Sequence, residues 1–130
     1  MMTKFYIFGF FLLLQYLWDR LTSNCSSTEG EFLLFIHHIV GVYIYLGGFL
    51  FNPLYHLLFV CIILIHWITN NNTCELTIVT NKYCGNPKYY RFQDLTQKFN
   101  IEKIHKDIHY FILFGIIILD IIKIYYKYVC

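Results

Sequence analysis

The chain has 130 residues and a formal net charge of +2, and 58% of its residues are hydrophobic while only 14% are charged. Because an ordinary soluble domain carries about 25% charged residues, this balance indicates a lipid bilayer as the surroundings. The small net charge and the lack of a separate basic stripe argue against nucleic acid as a partner. The lack of a Cys-x-x-Cys pair argues against a thioredoxin-type redox site or a zinc ribbon.

The first apolar run, FYIFGFFLLLQYLW, comes after Lys4 and is followed by Asp19 and Arg20. Taken alone, it has the character of a signal peptide's hydrophobic core, but no small-residue cleavage pattern follows it. We therefore expect a retained membrane helix over about 5–21.

The second and third apolar runs, 32–51 and 53–69, are each close to the roughly 20 residues that cross a bilayer. Pro53 suits the first turn of a helix, because its missing N–H would be unpaired there anyway. Asn52 before it can cap that helix. Since only the segment GGFLFNP joins the two runs, we expect them to form an antiparallel hairpin.

The fourth run follows Asn100 and predicts a helix over about 101–127. Such a helix is about 40 Å long, so its first turns are expected among the lipid headgroups and 108–126 in the hydrocarbon core. The segment 70–100 is expected to be a loop, in which the spacing of Phe92, Leu95 and Phe99 predicts a short helix on the membrane surface. The predicted fold is therefore a single-domain, all-α integral membrane four-helix bundle over 1–130.

Four crossings would place both termini and the hairpin turn on one side, and the segments 19–31 and 70–106 on the other, which we name the loop side. Lys and Arg are in excess on the loop side, so the positive-inside rule predicts that the loops are cytosolic. Two glycosylation sequons, at Asn24 and Asn71, favour the opposite orientation. If the loops were luminal, Cys74 and Cys84 could form a disulfide.

Polar side chains within the apolar runs are expected to face the protein interior, because leaving them in lipid costs several kcal/mol. We expect these side chains to form two layers. The first layer lies near the loop-side ends of the runs and contains Gln15, His37, His38, His66 and His109. The second layer is thinner, lies near the other membrane face and contains His56 and Asp120, and Lys123 is an alternative partner for Asp120 because it lies three residues further on.

Helical geometry separates the adjacent histidines, since consecutive side chains point about 100° apart. We expect His38 rather than His37 to face the interior, because Gly41 or Val42 lies one turn and Tyr45 two turns further along the same face, which permits close packing and tolerates a polar group. On the fourth run, five polar residues share one narrow face along the length of the helix, and Ile116 lies on that face between them. The residues of this face are His105, His109, Ile116, Asp120, Lys123 and Lys127.

Two cofactor hypotheses follow from these histidines. His105 and His109 lie one turn apart on one helical face, a spacing that can bind a metal ion. Haem b needs two axial ligands that face each other across a bundle, and His38 (or His37) opposite His66 or His109 provides candidates. The candidate cofactor ligands are thus His38, His66 and His109.

Two further hypotheses need no cofactor. A proton path could run through Gln15, His37, His56 and Asp120, because histidine titrates near neutrality. The same groups could instead hydrogen-bond between helices and fix their register, which is the interpretation we favour. No catalytic residue is predicted, since no HExxH motif occurs and no pair of ExxH motifs supports a di-iron carboxylate bundle.

Residues 37–77 resemble a family of small, mostly bacterial membrane proteins of unknown function. The shared order is an early His in one helix, Gly47-Gly48, His56 early in the next helix, and a Cys-x-Leu-Thr segment at Cys74. Family members commonly have Pro where this chain has Glu75, and the Glu expected soon after Leu-Thr is missing. The resemblance implies four helices and a shared role for His38, His56 and Cys74, without an activity.

Together these features predict a small polytopic membrane protein. We expect a non-enzymatic structural or accessory component, with the lipid bilayer and other membrane subunits as partners. The alternatives are a haem- or metal-binding redox protein and a proton-conducting or transport protein.

Overall fold

The computed structural model describes residues 2–22, 25–70, 72–87 and 108–129, and this part of the chain consists of helices joined by short turns and loops, without strands. The all-α prediction is therefore confirmed for these residues. The helices are α1 (Met2–Thr22), α2 (Thr28–Leu50), α3 (Pro53–Thr69), α4 (Glu75–Cys84) and α5 (Ile108–Tyr128).

Local signals fix the ends of three of these helices. Ser27 caps α2, and its Oγ accepts a hydrogen bond from the Gly30 N–H at 2.9 Å. Asn52 caps α3 through Oδ1, which accepts from the Leu54 N–H at 3.0 Å, and Pro53 occupies the first turn. Gly85 ends α4 with a φ of 73°, a left-handed conformation that glycine adopts without steric cost.

Helix α2 is the centre of the molecule, because it packs against each of the other four helices. Helices α3 and α5 also pack against each other, whereas α1 packs chiefly on α2. The ring of Phe5 lies 5.5 Å from that of Phe51, while Arg20 at the other end of α1 pairs with Glu31. Helices α1 and α2 are therefore antiparallel, as α2 and α3 are across their short turn.

A small apolar cluster joins α2, α3 and α5. Leu64 and Leu113 are buried in it together with Ile44 and Val60. Trp67 and Tyr110 lie at its edge, with ring centroids 6.5 Å apart. Because the end of α3 meets the beginning of α5 there, these two helices are antiparallel as well.

Helix α4 lies against the first half of α2 and closes the end of the molecule that contains the α1–α2 loop. Cys84 forms a disulfide with Cys25, with the two Cα atoms 4.4 Å apart. Ser27 Oγ donates to the Tyr83 carbonyl at 2.6 Å and Ser26 Oγ to the Cys84 carbonyl at 3.5 Å. The serine hydroxyls thereby satisfy carbonyls that a helix leaves free at its last turn.

Helix α4 is a departure from the expected loop over 70–100. Its buried residues include Thr80 and Asn81, so the face that packs against α2 is polar and gives no apolar periodicity. The predicted surface helix around Phe92, Leu95 and Phe99 lies outside the described residues. Residues 101–107, the first part of the predicted fourth helix, also lie outside the described residues. The expected membrane-core span of that helix, 108–126, falls within α5.

By length and composition, two of the described helices could cross a membrane: α2, with 23 residues, and α5, with 21. Helix α3 is equally apolar in character but shorter, with 17 residues. Of the two helices of the predicted hairpin, α2 is therefore the one that is long enough to meet this criterion.

Candidate functional site

Two buried histidine–aspartate pairs hold the long helices together. The first joins α1 to α2, where His38 Nε2 lies 2.9 Å from Asp19 Oδ2. The His38 side chain is 4% exposed and that of Asp19 is 0% exposed. The ring of His37 is nearly parallel to that of His38, with the two centroids 6.1 Å apart.

The second pair joins α3 to α5. His56 Nδ1 lies 2.5 Å from Asp120 Oδ2, and the two side chains are 1% and 2% exposed. The other ring nitrogen, His56 Nε2, lies 2.9 Å from the Tyr43 carbonyl oxygen and 3.1 Å from that of Ile44. A single imidazole therefore connects three helices: α2, α3 and α5.

The hydrogen-bond partners of His56 indicate which of its ring nitrogens carries a hydrogen. Carbonyl oxygens only accept hydrogen bonds, so Nε2 must carry a hydrogen. One further proton then lies between Nδ1 and Asp120 Oδ2, on either the imidazole or the carboxyl group. In both cases the pair as a whole is neutral, which avoids the large cost of burying an isolated charge.

Gly47 and Gly48 allow this close approach. A Cβ atom at Gly48 would overlap Asp120 Oδ1 and lie 2.8 Å from His56 Nδ1. A Cβ at Gly47 would overlap the His56 ring at Cδ2. The Gly48 carbonyl also accepts a hydrogen bond of 3.0 Å from Lys123 Nζ, so α2 is linked to α5 directly as well as through the His56 imidazole. The glycine pair is thus part of the site, and not only of the turn that follows it.

The other predicted polar residues have separate environments. Gln15 is half-buried and its Nε2 faces the backbone of α2 at Gly41. His66 Nε2 accepts a hydrogen bond from the Glu75 N–H at 3.2 Å and so joins α3 to α4. The ring of His109 lies edge-on to that of Trp67, with centroids 6.3 Å apart.

The structure does not bring together the three imidazoles proposed as haem or metal ligands. His38 is paired with Asp19, while the Nε2 lone pair of His66 is used by a backbone N–H. Among the described residues, no group of three or more His, Cys, Asp or Glu side chains is arranged to bind a metal ion. The haem and metal assignments of these three residues therefore stay hypotheses that rest on the sequence. His105 lies outside the described residues, so the His105–His109 pair stays a prediction.

The groups suggested for a proton path are also divided. His56 and Asp120 lie near one end of the long helices, whereas Gln15 and His37 lie toward the other. Along the helix axes, the apolar cluster of Ile44, Val60, Leu64 and Leu113 comes between the two His–Asp pairs. Each pair is consequently a separate polar contact.

Sequence reasoning misses Asp19, because the residue directly follows the first apolar run and has the position of a flanking charge. Asp19 lies four residues after Gln15 and therefore on the same face of α1. That spacing was the available signal, since it extends the polar face of the helix by one turn toward His38.

Comparison of the chain with protein-family models, curated proteins and solved structures finds no match. The resemblance to small bacterial membrane proteins stays a prediction that rests on the sequence pattern. Of the residues in that pattern, the structure places His38 and His56 in the two buried pairs and Gly47-Gly48 beside His56, while Cys74 precedes α4 as a free thiol.

Proposed function

We propose that this chain is a small multi-pass membrane protein with four membrane-spanning helices, α1, α2, α3 and α5, and that it acts as a non-enzymatic structural or accessory component. The observation that carries this proposal is the distribution of side chains. Among the described residues, four ionisable side chains, those of Asp19, His38, His56 and Asp120, are buried, while many large apolar side chains are exposed, which is unusual for a water-soluble protein.

The apolar exterior covers several helices. Soluble monomers rarely expose contiguous apolar patches of more than a few hundred Å². Here Phe, Leu, Ile and Tyr side chains are exposed along α1, α3 and α5, including Phe5, Tyr6, Phe10, Phe11, Leu13, Leu14, Leu58, Ile62, Ile65, Phe111, Phe114, Ile118, Leu119 and Ile122. A lipid environment would cover these surfaces without a cost in free energy.

The polar interior suits the same environment. Between helices in lipid, association depends on close packing at small residues and on hydrogen bonds, because apolar side chains gain nothing by leaving the lipid. Gly47 and Gly48 provide the close packing here, and the pairs at His38 and His56 provide the hydrogen bonds. These contacts support a role in fixing the register of the helices.

The directions of the helices fit four crossings. Each of α1, α2, α3 and α5 runs opposite to the helix before it in the bundle, which leaves both ends of the described chain and the α2–α3 turn on one side. Helix α3 spans about 25 Å, which is near the lower limit for crossing a hydrocarbon core of about 30 Å.

The proposal of a non-enzymatic role rests on the burial and mutual pairing of the two histidines and the two aspartates. In both pairs the histidine and the aspartate face each other across a helix contact and are almost completely buried. Neither pair is therefore positioned to meet a substrate from outside. The lipid bilayer is the proposed main partner, and the exposed faces of α1 and α5 are available to other membrane subunits.

Alkaline carbonate extraction of cells that express the full chain tests the proposal. We expect the protein to sediment with the membranes, because removing the exposed apolar faces from lipid would expose them to water. Detergent should release it. Release into the carbonate supernatant without detergent would contradict the proposed membrane insertion.

A further inference from the structure

The Cys25–Cys84 disulfide lies at one end of the molecule, which we name the α4 end. From it we infer that the α4 end faces an oxidising, non-cytosolic compartment and that Cys25 and Cys84 are substrates of a disulfide-donating oxidoreductase there. This inference rests on the proposed membrane insertion. It places the α1–α2 loop and α4 outside the cytosol and both ends of the described chain inside it.

The position of the bond indicates a structural disulfide. Cys25 and Cys84 are 59 residues apart in sequence, and the bond ties the α1–α2 loop to the end of α4. A Cβ atom at Gly30 would lie 2.6 Å from Cys25 Sγ and 2.7 Å from Cys84 Sγ, so the backbone of α2 lies directly against both sulfur atoms. The disulfide is therefore packed against α2 within this end of the protein.

Hydrogen bonds align the two cysteines independently of the bond. Ser27 Oγ donates to the Tyr83 carbonyl and Ser26 Oγ to the Cys84 carbonyl, which holds the loop against the end of α4. A reduced chain would thus present two neighbouring thiols. Exchange with a partner disulfide then oxidises them: one thiolate attacks the partner, the second displaces it, and the partner leaves as a dithiol with both electrons and both protons.

The compartment follows from the supply of that partner. Disulfides persist in secretory, periplasmic or extracellular surroundings, whereas cytosolic thiol buffers keep such pairs reduced. The excess of Lys and Arg on the loop side predicts the opposite orientation. We give the disulfide more weight, because the charge rule is a bias summed over loops, while a disulfide requires an oxidant. The sequence also contains glycosylation sequons at Asn24 and Asn71, which favour the same orientation.

Labelling of single cysteines in bacterial inner-membrane vesicles tests the inference. The parent chain carries Cys61→Ala, Cys74→Ser and Cys130→Ser, and retains Cys25 and Cys84. Pro87→Cys reports on the α4 end and Lys127→Cys on the opposite end, and both positions are exposed. An impermeant maleimide should label Pro87→Cys only in right-side-out vesicles and Lys127→Cys only in inverted ones.

The redox state is measured on the same chain. Alkylation with a maleimide-coupled polymer should lower the electrophoretic mobility of this chain only after reduction. The Cys84→Ser variant should shift without reduction, because its Cys25 thiol is free. In cells that lack the periplasmic thiol oxidase, we expect the parent chain to accumulate with both thiols free.

Labelling with the opposite sidedness would overturn the inference, and so would free thiols in cells that contain the oxidase. Failure of the proposed membrane insertion is a different result, because the chain would then appear in the carbonate supernatant.

Discussion

Replacing His56 with leucine is expected to lower the free energy of unfolding by about 3–5 kcal/mol, because it leaves the buried Asp120 carboxyl group without its partner. The Asp120 side chain is only 2% exposed, so water cannot replace the lost contact. Leucine also removes the Nε2 hydrogen that the carbonyl groups of α2 accept. Equilibrium unfolding of the detergent-solubilised protein, followed by far-ultraviolet circular dichroism, measures the loss.

The double variant His56→Leu/Asp120→Leu separates a paired role from two independent ones. Replacing a buried pair by apolar residues of similar volume is often neutral or stabilising, so we expect the double variant to regain most of the stability that either single variant loses. Asp120→Asn should lose less than Asp120→Leu, because its amide can donate to the Nδ1 of a neutral His56. Losses that simply add would contradict the assignment.

His66→Leu is the matched control for this cycle. His66 is also a helix histidine with a hydrogen bond, but its partner is a backbone N–H at the exposed start of α4. Losing a bond of that kind typically costs about 0.5–1.5 kcal/mol. A loss at His66 as large as that at His56 would show that the effect does not depend on the buried carboxyl group.

Gly48→Ala is the second substitution with a large expected effect. Its Cβ atom would overlap Asp120 Oδ1 and press on His56 Nδ1. Overpacking a well-packed interior costs about 1–3 kcal/mol, and any separation of the His56–Asp120 pair would add to that loss. Thermal unfolding in detergent should therefore show a clearly lower midpoint than for the unchanged protein.

Gly115→Ala provides the control, since no described atom lies within 4 Å of a Cβ at that position in α5. Alanine is a better helix former than glycine by about 1 kcal/mol, so this variant should be as stable as the parent or slightly more stable. Equal effects of the two alanines would contradict the proposed role of Gly48.

The hairpin of α2 and α3 could be predicted from sequence because its signals are local. Pro53 and Asn52 act on the first turn of the helix in which they lie, and the structure uses both in that way. Helix α4 could not be predicted from apolar periodicity. Its buried face is formed by Thr80 and Asn81, whose burial depends on packing against α2.

Sequence predicts those parts of the candidate site whose partners lie at the same depth in the membrane, as counted from the ends of the apolar runs. Counting residues placed His56 and Asp120 in one layer, and the structure pairs them. The spacing from Gln15 places Asp19 on the polar face of α1, but its pairing with His38 depends on the register of α1 on α2, which no local pattern provides. The disulfide is a similar case. With luminal loops the sequence predicts Cys74 and Cys84 as possible partners, but α4 separates them by about 15 Å, and Cys84 is bonded to Cys25 instead.

The central claim, that the apolar exterior lies in a bilayer, is tested most directly by comparing Ile118→Arg with Tyr128→Arg. The two side chains are equally exposed, at 57% and 58%, but Ile118 lies near the middle of α5 and Tyr128 at its end. In water both substitutions would lie on the surface and change stability by about 0.5 kcal/mol or less.

In a bilayer an arginine at the centre of a span costs about 2.5–3.5 kcal/mol, while one at the end can reach the headgroups. The measurement is the fraction of chains whose C-terminal tag lies on the same side of the membrane as in the parent, scored by protease protection. We predict a large fall for Ile118→Arg and none for Tyr128→Arg. Indistinguishable behaviour of the two variants would contradict the membrane assignment.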